Sequence, residues 1–120
     1  MYGLKKDIDL GFLNGRKLIQ LGVGLYQTVF KFDGDVAISV EGEFRYLDGQ
    51  DEWIWRPAPG AHLLAVRTAA LLGTAIESFE SNADGTLALT FSNSRRLTIV
   101  DSSKEYESYD ITGVGQTIVV

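Results

Sequence analysis

The chain has no cysteine, and its 120 residues include only one histidine and two prolines. The missing cysteine excludes disulfides, iron–sulfur clusters, thiolate zinc sites and cysteine nucleophiles. The single histidine, His62, has no second histidine to join it on a metal ion. We therefore expect no metal and no cofactor, and a fold that is stabilised by burial alone.

Long apolar runs are missing as well. The most apolar segment, residues 61–72, is shorter than the roughly 20 residues that a membrane-spanning helix needs. The first ten residues, MYGLKKDIDL, contain two lysines with no apolar stretch after them, which is unlike a secretory signal peptide. We expect a cytoplasmic protein without membrane contact. The length predicts one domain over residues 1–120.

Acidic residues outnumber basic residues by sixteen to eleven, so the net charge is −5. The acidic residues concentrate in two segments, residues 41–52 and residues 101–110. Nucleic-acid binding is disfavoured, because affinity for nucleic acid depends on lysine and arginine side chains that meet phosphates. The same charge distribution suits a basic protein partner.

Short apolar stretches with a period of two occupy most of the chain. Val36, Ile38 and Val40 alternate with other residues directly after the Asp33-Gly34 pair, and further Asp-Gly pairs follow at 48–49 and 84–85. This pattern is typical of antiparallel strands that are joined by hairpin turns. It predicts seven or eight strands.

Only residues 60–72 have the pattern of a helix. Pro59 suits the first turn of a helix, and Gly73 suits the position after its end. The clearly polar residues of the segment are His62, Arg67 and Thr68, so we predict a helix that is buried. The predicted fold is α+β: a twisted antiparallel sheet of seven or eight strands curling around this one buried helix.

Two segments of the sequence echo each other. VFKFDGDVAISVEGEFRY and LALTFSNSRRLTIVDSSKEYESY both contain a strand pattern, a polar turn, a second strand, an acidic link and an aromatic pair. Two related units on either side of the helix would explain the echo, and so would convergence of two unrelated hairpins. We favour convergence, because a period of two is generic.

The second half of the chain contains four short motifs, Leu71-Leu72-Gly73, Gly85-Thr86-Leu87, Leu89-Thr90-Phe91 and Tyr106-Glu107-Ser108-Tyr109. In these motifs it resembles a bacterial family of unknown function. The opening DIDLGFLNGRKLIQLGVG is also similar to that of the family, whereas Ser94 stands where we expect glycine. Proteins of this size and type resemble the immunity proteins of bacterial toxin systems, so the resemblance implies an immunity-like role.

The segment DEWIWRPAPGAH, residues 51–62, holds both tryptophans, both prolines and the histidine. Trp53 and Trp55 share one face if this part is a strand, so they form either a core layer or an exposed platform. Tryptophan and arginine beside charged residues are typical of binding hot spots. The platform interpretation predicts a partner-binding surface made of Glu43, Asp48, Asp51, Glu52, Trp53, Trp55 and Arg56.

A pocket between the sheet and the helix is the alternative site. Its candidate residues are His62, Tyr106, Glu107 and Tyr109. A histidine in the first turn of a helix can act as a general base, but it is more often a surface residue without a catalytic role. We find no nucleophile motif, calcium loop or phosphate-binding loop, and we assign no catalytic residue.

These observations favour a non-enzymatic protein-interaction domain, of immunity type, that binds and blocks a basic toxin or effector. A small-molecule-binding domain or weak enzyme, with a pocket between sheet and helix, is the alternative. A third interpretation is a homodimer that is joined through sheet edges or through the apolar helix.

Overall fold

The computed structural model describes residues 9–101 and 108–120. Within these ranges ten strands form two antiparallel sheets of five strands each, and the only helical parts are short. The predicted α+β architecture, a single sheet of seven or eight strands around a buried helix, is therefore wrong. The fold is a β-sandwich, because each sheet buries one apolar face against the other sheet.

The strands are β1 (Leu18–Val23), β2 (Thr28–Phe32), β3 (Val36–Val40), β4 (Glu43–Asp48), β5 (Asp51–Trp55), β6 (Ile76–Ser81), β7 (Leu87–Phe91), β8 (Arg96–Val100), β9 (Tyr109–Gly113) and β10 (Gln116–Val119). The first sheet has the order β1-β2-β3-β9-β10, and the second has the order β5-β4-β8-β7-β6. The helix α1 (Ala61–Ala65) continues as a 3₁₀ helix (Val66–Leu71), and another 3₁₀ helix (Gly11–Leu13) precedes β1.

Aromatic contacts between the sheets show which strands face each other. Phe30 on β2 meets Phe44 on β4 edge-to-face, with ring centroids 5.6 Å apart. At the other side of the sandwich, the Tyr109 hydroxyl on β9 donates to the Gly85 carbonyl before β7 at 2.6 Å. Phe32 on β2 also stacks on Phe91 on β7, with ring centroids 6.5 Å apart, and Lys17 before β1 pairs with Ala75 before β6, so β1 and β6 begin side by side.

The helical segment after β5 is not the buried element that its apolar sequence predicts. The buried residues of the segment are Ala61, Ala65, Thr68 and Leu71, and the first three of these have small side chains. Its other large side chains are exposed, and they are Leu63, Leu64, Val66 and Leu72. The segment contacts β5 through α1 and β1 through the 3₁₀ helix, so it connects an edge strand of one sheet with an edge strand of the other. We use the name helix side for the exposed residues of β1, the β1–β2 connection, β5 and the helical segment 61–72.

The two halves of the chain build equivalent structures. In each half, three strands enter one sheet and the next two enter the other. The segments that begin the halves pair reciprocally: the Gly15 N–H donates to the Ile76 carbonyl at 2.8 Å, and the Gly73 N–H donates to the Leu18 carbonyl at 2.8 Å. Gly15 and Gly73 have φ values of +82° and +84°, which glycine adopts without strain. An approximate two-fold axis therefore relates the halves.

The echoing hairpins occupy equivalent positions about this axis. The Lys17 N–H donates to Asp33 Oδ1 at 3.1 Å, and the Ala75 N–H donates to Ser92 Oγ at 3.1 Å. Such shared side-chain contacts are not expected of two generic hairpins. The structure favours related units over the convergence that the sequence pattern suggested.

The turn residue Ser94 also has an equivalent in the first half. Asp35 and Ser94 have φ values of +59° and +68°, in the left-handed region. Glycine is the residue that adopts this region most readily, which explains why the resemblance leads one to expect glycine at Ser94.

No helix of the described residues is long and apolar enough to cross a membrane.

Candidate functional site: the helix side of the sandwich

The two tryptophans of β5 both point inward, and they differ in burial. Trp55 is 1% exposed and stacks on Phe44, with ring centroids 5.2 Å apart. Trp53 is half-buried and stacks on Tyr46 at 5.9 Å. The Arg67 guanidinium lies 4.7 Å from the centre of the Trp53 ring, within the range of a cation–π contact. Trp55 is thus a core residue, while the edge of Trp53 reaches the helix side.

Glu43 is buried on the outer face of β4 between two arginines. Its Oε1 accepts from Arg56 Nε at 2.7 Å, and its Oε2 accepts from Arg45 Nε at 3.1 Å. Burial opposes ionisation of this carboxylate, but the hydrogen bonds and charges of Arg56 and Arg45 outweigh burial and hold the pKa of Glu43 below its usual value. Glu43 therefore presents little negative charge to a partner.

The other predicted acidic residues lie at the turn between β4 and β5. Asp48 Oδ1 accepts from Arg95 Nε at 2.9 Å, so its charge is also balanced. Asp51 and Glu52 are exposed and form no ion pair with the described residues. The acidic surface that the sequence suggests is thereby reduced to two carboxylates beside the helix side.

Exposed apolar side chains are unevenly distributed over the sandwich. Of the eleven large exposed hydrophobic residues in the described ranges, nine belong to the elements of the helix side: Ile19, Val23, Leu25, Tyr26, Ile54, Leu63, Leu64, Val66 and Leu72. The other two, Val114 and Val119, lie on β10 and on the turn that precedes it. Such a concentration is typical of an interaction site, since scattered single exposures are the ordinary case.

A shallow groove crosses this surface between β5 and α1. It has a volume of about 260 Å³ and is lined by Ile54, Arg56, Ala58, Pro59, Gly60, Ala61 and Leu64. Arg56 is its one charged side chain, and the other lining residues are apolar. The groove can accept an apolar side chain of a partner, whereas it lacks the converging polar groups of a typical small-molecule site.

The residues of the alternative pocket are not brought together by any contact among the described residues. His62 is half-buried on α1, and its Nδ1 has no hydrogen-bond partner in the described ranges. Tyr109 is buried in the sandwich, where its hydroxyl binds the Gly85 carbonyl, and burial raises the pKa of Tyr109. Tyr106 and Glu107 lie outside the described residues. In the part of the chain that the structure describes, no three His, Asp or Glu side chains group in a way that could hold a metal ion.

Sequence reasoning missed most of the exposed apolar residues of the helix side. One signal was present: Ala61, Ala65 and Thr68 fall on one helical face, so the leucines among them had to fall on another. A second signal is the stretch from Leu18 to Phe30, which contains no charged residue although part of it is exposed. Neither signal shows that the helical segment contacts β1, because that contact depends on the tertiary structure.

Comparison with known proteins gives a family but no individual relative. Residues 12–120 match a family that is described as Family of unknown function (DUF6188). No curated protein and no solved structure matches the chain. Because the match covers nearly the whole sequence, this chain belongs to the DUF6188 family.

Proposed function

We propose that the protein is a non-enzymatic protein-interaction domain and that it binds its partner through the helix side. The observation that supports this most strongly is that nine of the eleven exposed large hydrophobic residues in the described ranges belong to the few elements of the helix side. Burial of such a surface contributes roughly 25 cal/mol per Å² of apolar area, so its exposure is costly unless a partner covers it. We expect the partner to be met in the cytoplasm.

The narrower form of the proposal is an immunity-type protein that blocks a basic toxin or effector. Its support in the structure is limited to Asp51 and Glu52, because arginines balance Glu43 and Asp48. If a basic effector binds here, reversing Asp51 and Glu52 to lysine should slow association, most strongly at low salt. An association rate that is unchanged by both reversals would contradict this form.

The alternative function is a small-molecule-binding domain or weak enzyme with a pocket between sheet and helix. The groove beside α1 supports it, but its volume of about 260 Å³ lies below the range of roughly 300–1,000 Å³ that is usual for ligand pockets. We therefore prefer the protein-interaction domain to the small-molecule-binding domain as the proposed function.

Site-specific photo-crosslinking in the cells that produce the protein tests the proposal. A photoreactive phenylalanine replaces Val66 on the helix side or, as the matched control, Val114 on the β9–β10 turn. The two valines are 53% and 56% exposed, so accessibility does not distinguish them. We expect a discrete adduct from position 66 and none from position 114. Absence of an adduct at position 66, or equal adducts at both positions, would contradict the proposal.

A further inference from the structure

We infer that the partner on the helix side is a second copy of this chain, bound as a two-fold symmetric dimer. The inference rests on the proposed function, because it names the occupant of the surface that the function requires. Three features of the helix side carry it: the scarcity of charge in two of its segments, the arrangement of charge along β5, and the form of the groove beside α1.

Two segments that contribute to the helix side are nearly without charge. The segment from Leu18 to Phe30 has no charged residue, and the segment from Pro57 to Ile76 has only Arg67. Arg67 itself is directed to the Trp53 ring. Depletion of charge at the centre of an apolar surface is typical of homodimer interfaces, which are more apolar than those of transient complexes.

The charges beside this centre are complementary to themselves. The acidic residues Asp51 and Glu52 lie at the start of β5, and Arg56 follows its other end, so Glu52 and Arg56 are separated by about 13 Å along the strand. If a two-fold axis crosses β5 at right angles, β5 of the second copy lies antiparallel to β5 of the first. This arrangement places Glu52 near Arg56 of the partner subunit, and the reverse pair forms by symmetry.

Arg56 has donors left for such a pair. Its Nε is bound to Glu43 at 2.7 Å, and the guanidinium carries four further N–H donors. Its side chain is 66% exposed, so these donors can be reached from outside. A basic partner would instead meet Arg56 and Arg67 with only two exposed carboxylates in compensation, which makes a second copy the better match.

The groove beside α1 fits the same arrangement. Ile54 and Leu64 line its walls, while Leu63 and Val66 stand exposed on the same helical segment. In an antiparallel pair of these segments, exposed side chains of each copy meet the groove of the other. Each subunit then offers both a projection and a recess, as a symmetric interface requires.

The first experiment measures the mass of the purified chain by sedimentation equilibrium over a range of concentrations. We expect the mass of two chains. Val66→Glu and Leu63→Glu should each weaken the dimer at least tenfold, because a buried unpaired charge is costly. Val114→Glu is the matched control and should leave the dimer unchanged. Circular dichroism shows whether each variant is folded, and Leu63→Gln repeats the test with a neutral side chain if a glutamate variant fails to fold.

The second experiment tests the charge arrangement. Glu52→Lys should weaken the dimer by roughly tenfold at low salt and by less at high salt, because it replaces two attractive pairs by two repulsive ones. Glu77→Lys is the same change at an exposed glutamate on β6, which is not an element of the helix side, and should have no effect.

The outcomes separate this inference from the proposed function. A wild-type chain that stays monomeric overturns the dimer, and so does a dimer that persists in both Val66→Glu and Leu63→Glu. If the monomer still gives an adduct with another protein at position 66, the interaction function stands with a different partner. If it gives no adduct, both proposals fail.

Discussion

The two halves of the chain share a backbone arrangement but fill it differently. Strands β4 and β5 send four aromatic side chains inward, whereas the equivalent strands β9 and β10 send one aromatic and three aliphatic side chains; the equivalent pairs are Phe44 with Tyr109, Tyr46 with Ile111, Trp53 with Ile118, and Trp55 with Val120. The topology therefore does not require large aromatic residues at these positions. In the first half, the outer strand β5 also contacts α1, whose buried residues Ala61 and Ala65 are small.

The connection between the first and second strands of each half differs as well. In the second half, the turn between β6 and β7 is polar and holds the fold: the Thr86 N–H donates to Asp84 Oδ1 at 2.9 Å, and the Gly85 carbonyl accepts from Tyr109. In the first half, the connection between β1 and β2 exposes Leu25 and Tyr26 instead. The second half shows that such a connection can be built without exposed apolar residues, which points to recognition as their role.

The largest expected difference between the halves is at Trp55 and Val120. Both are buried at equivalent positions, and Trp55 also stacks on Phe44. Trp55→Ala should lower the free energy of unfolding by roughly 3–5 kcal/mol, and Val120→Ala by roughly 1–3 kcal/mol. Urea denaturation measures both. Equal losses would mean that the aromatic filling of the first half adds nothing to its stability.

Leu13 and Leu71 occupy closely equivalent positions in the two halves. Each is the last residue of a 3₁₀ helix, and both are 0% exposed. Leu13→Ala and Leu71→Ala should each cost roughly 2–5 kcal/mol. Leu63→Ala, at an exposed position eight residues before Leu71 in the same helical segment, should cost less than about 1 kcal/mol. Thermal unfolding distinguishes these values. A large loss from Leu63→Ala would show that the helix packs as the sequence pattern first suggested.

Exchanging the side chains at the equivalent positions Tyr109 and Phe44 should change the stability by an intermediate amount. Tyr109→Phe removes the hydroxyl that binds the buried Gly85 carbonyl and should cost roughly 1–3 kcal/mol. The reciprocal Phe44→Tyr adds a hydroxyl at the equivalent position of the first half, where Phe44 is buried against Phe30 and Trp55, and should also destabilise. A stabilising Phe44→Tyr would indicate that the first half holds an acceptor equivalent to Gly85.

The smallest effect concerns Glu43, whose equivalent position in the second half is Ser108. Since Arg56 and Arg45 lower the pKa of Glu43, its contribution to stability is present above the pKa of the unfolded chain, and it is lost as the pH falls through the lower folded value. Glu43→Gln should cost about 1–2 kcal/mol at pH 7, and the difference from wild type should shrink below about pH 4.

Glu77→Gln is the control for this profile, because Glu77 is exposed and has no ion pair with the described residues. It should leave the dependence of stability on pH unchanged. A Glu43→Gln variant whose deficit is the same at pH 7 and pH 3 would show that the two arginines do not act through charge.

Local patterns in the sequence predicted many of the elements. The period of two in residues such as Val36, Ile38 and Val40 marks a strand with one buried face, and Asp33-Gly34 marks the turn before it. The limits of the helical segment were also close, with α1 beginning at Ala61 and the 3₁₀ helix ending at Leu71. These features depend on residues within a few positions of one another, which is why the sequence alone reveals them.

The tertiary structure decided how these elements combine. Nothing local distinguishes a strand that continues its sheet from one that crosses to the opposite sheet, as the chain does between β3 and β4, so the count of sheets was missed. Trp55 is buried, whereas Trp53 is only half-buried. This difference likewise depends on which strands and helix lie beside β5.

The sequence by itself determined the absence of cysteine chemistry, the strand-rich composition, the turns and the extent of the helical segment. Only the tertiary structure decided which apolar residues stay exposed. A leucine of α1 has the same hydrophobicity whether it faces the sandwich or the solvent, and the difference arises from where β1 and β5 end their sheets. The same holds for charge: Glu43 and Glu52 are alike in sequence, but two arginines surround the first and none meets the second in the described structure. Long-range packing sets both outcomes, because solvent exposure and electrostatic pairing depend on neighbours that are distant along the chain.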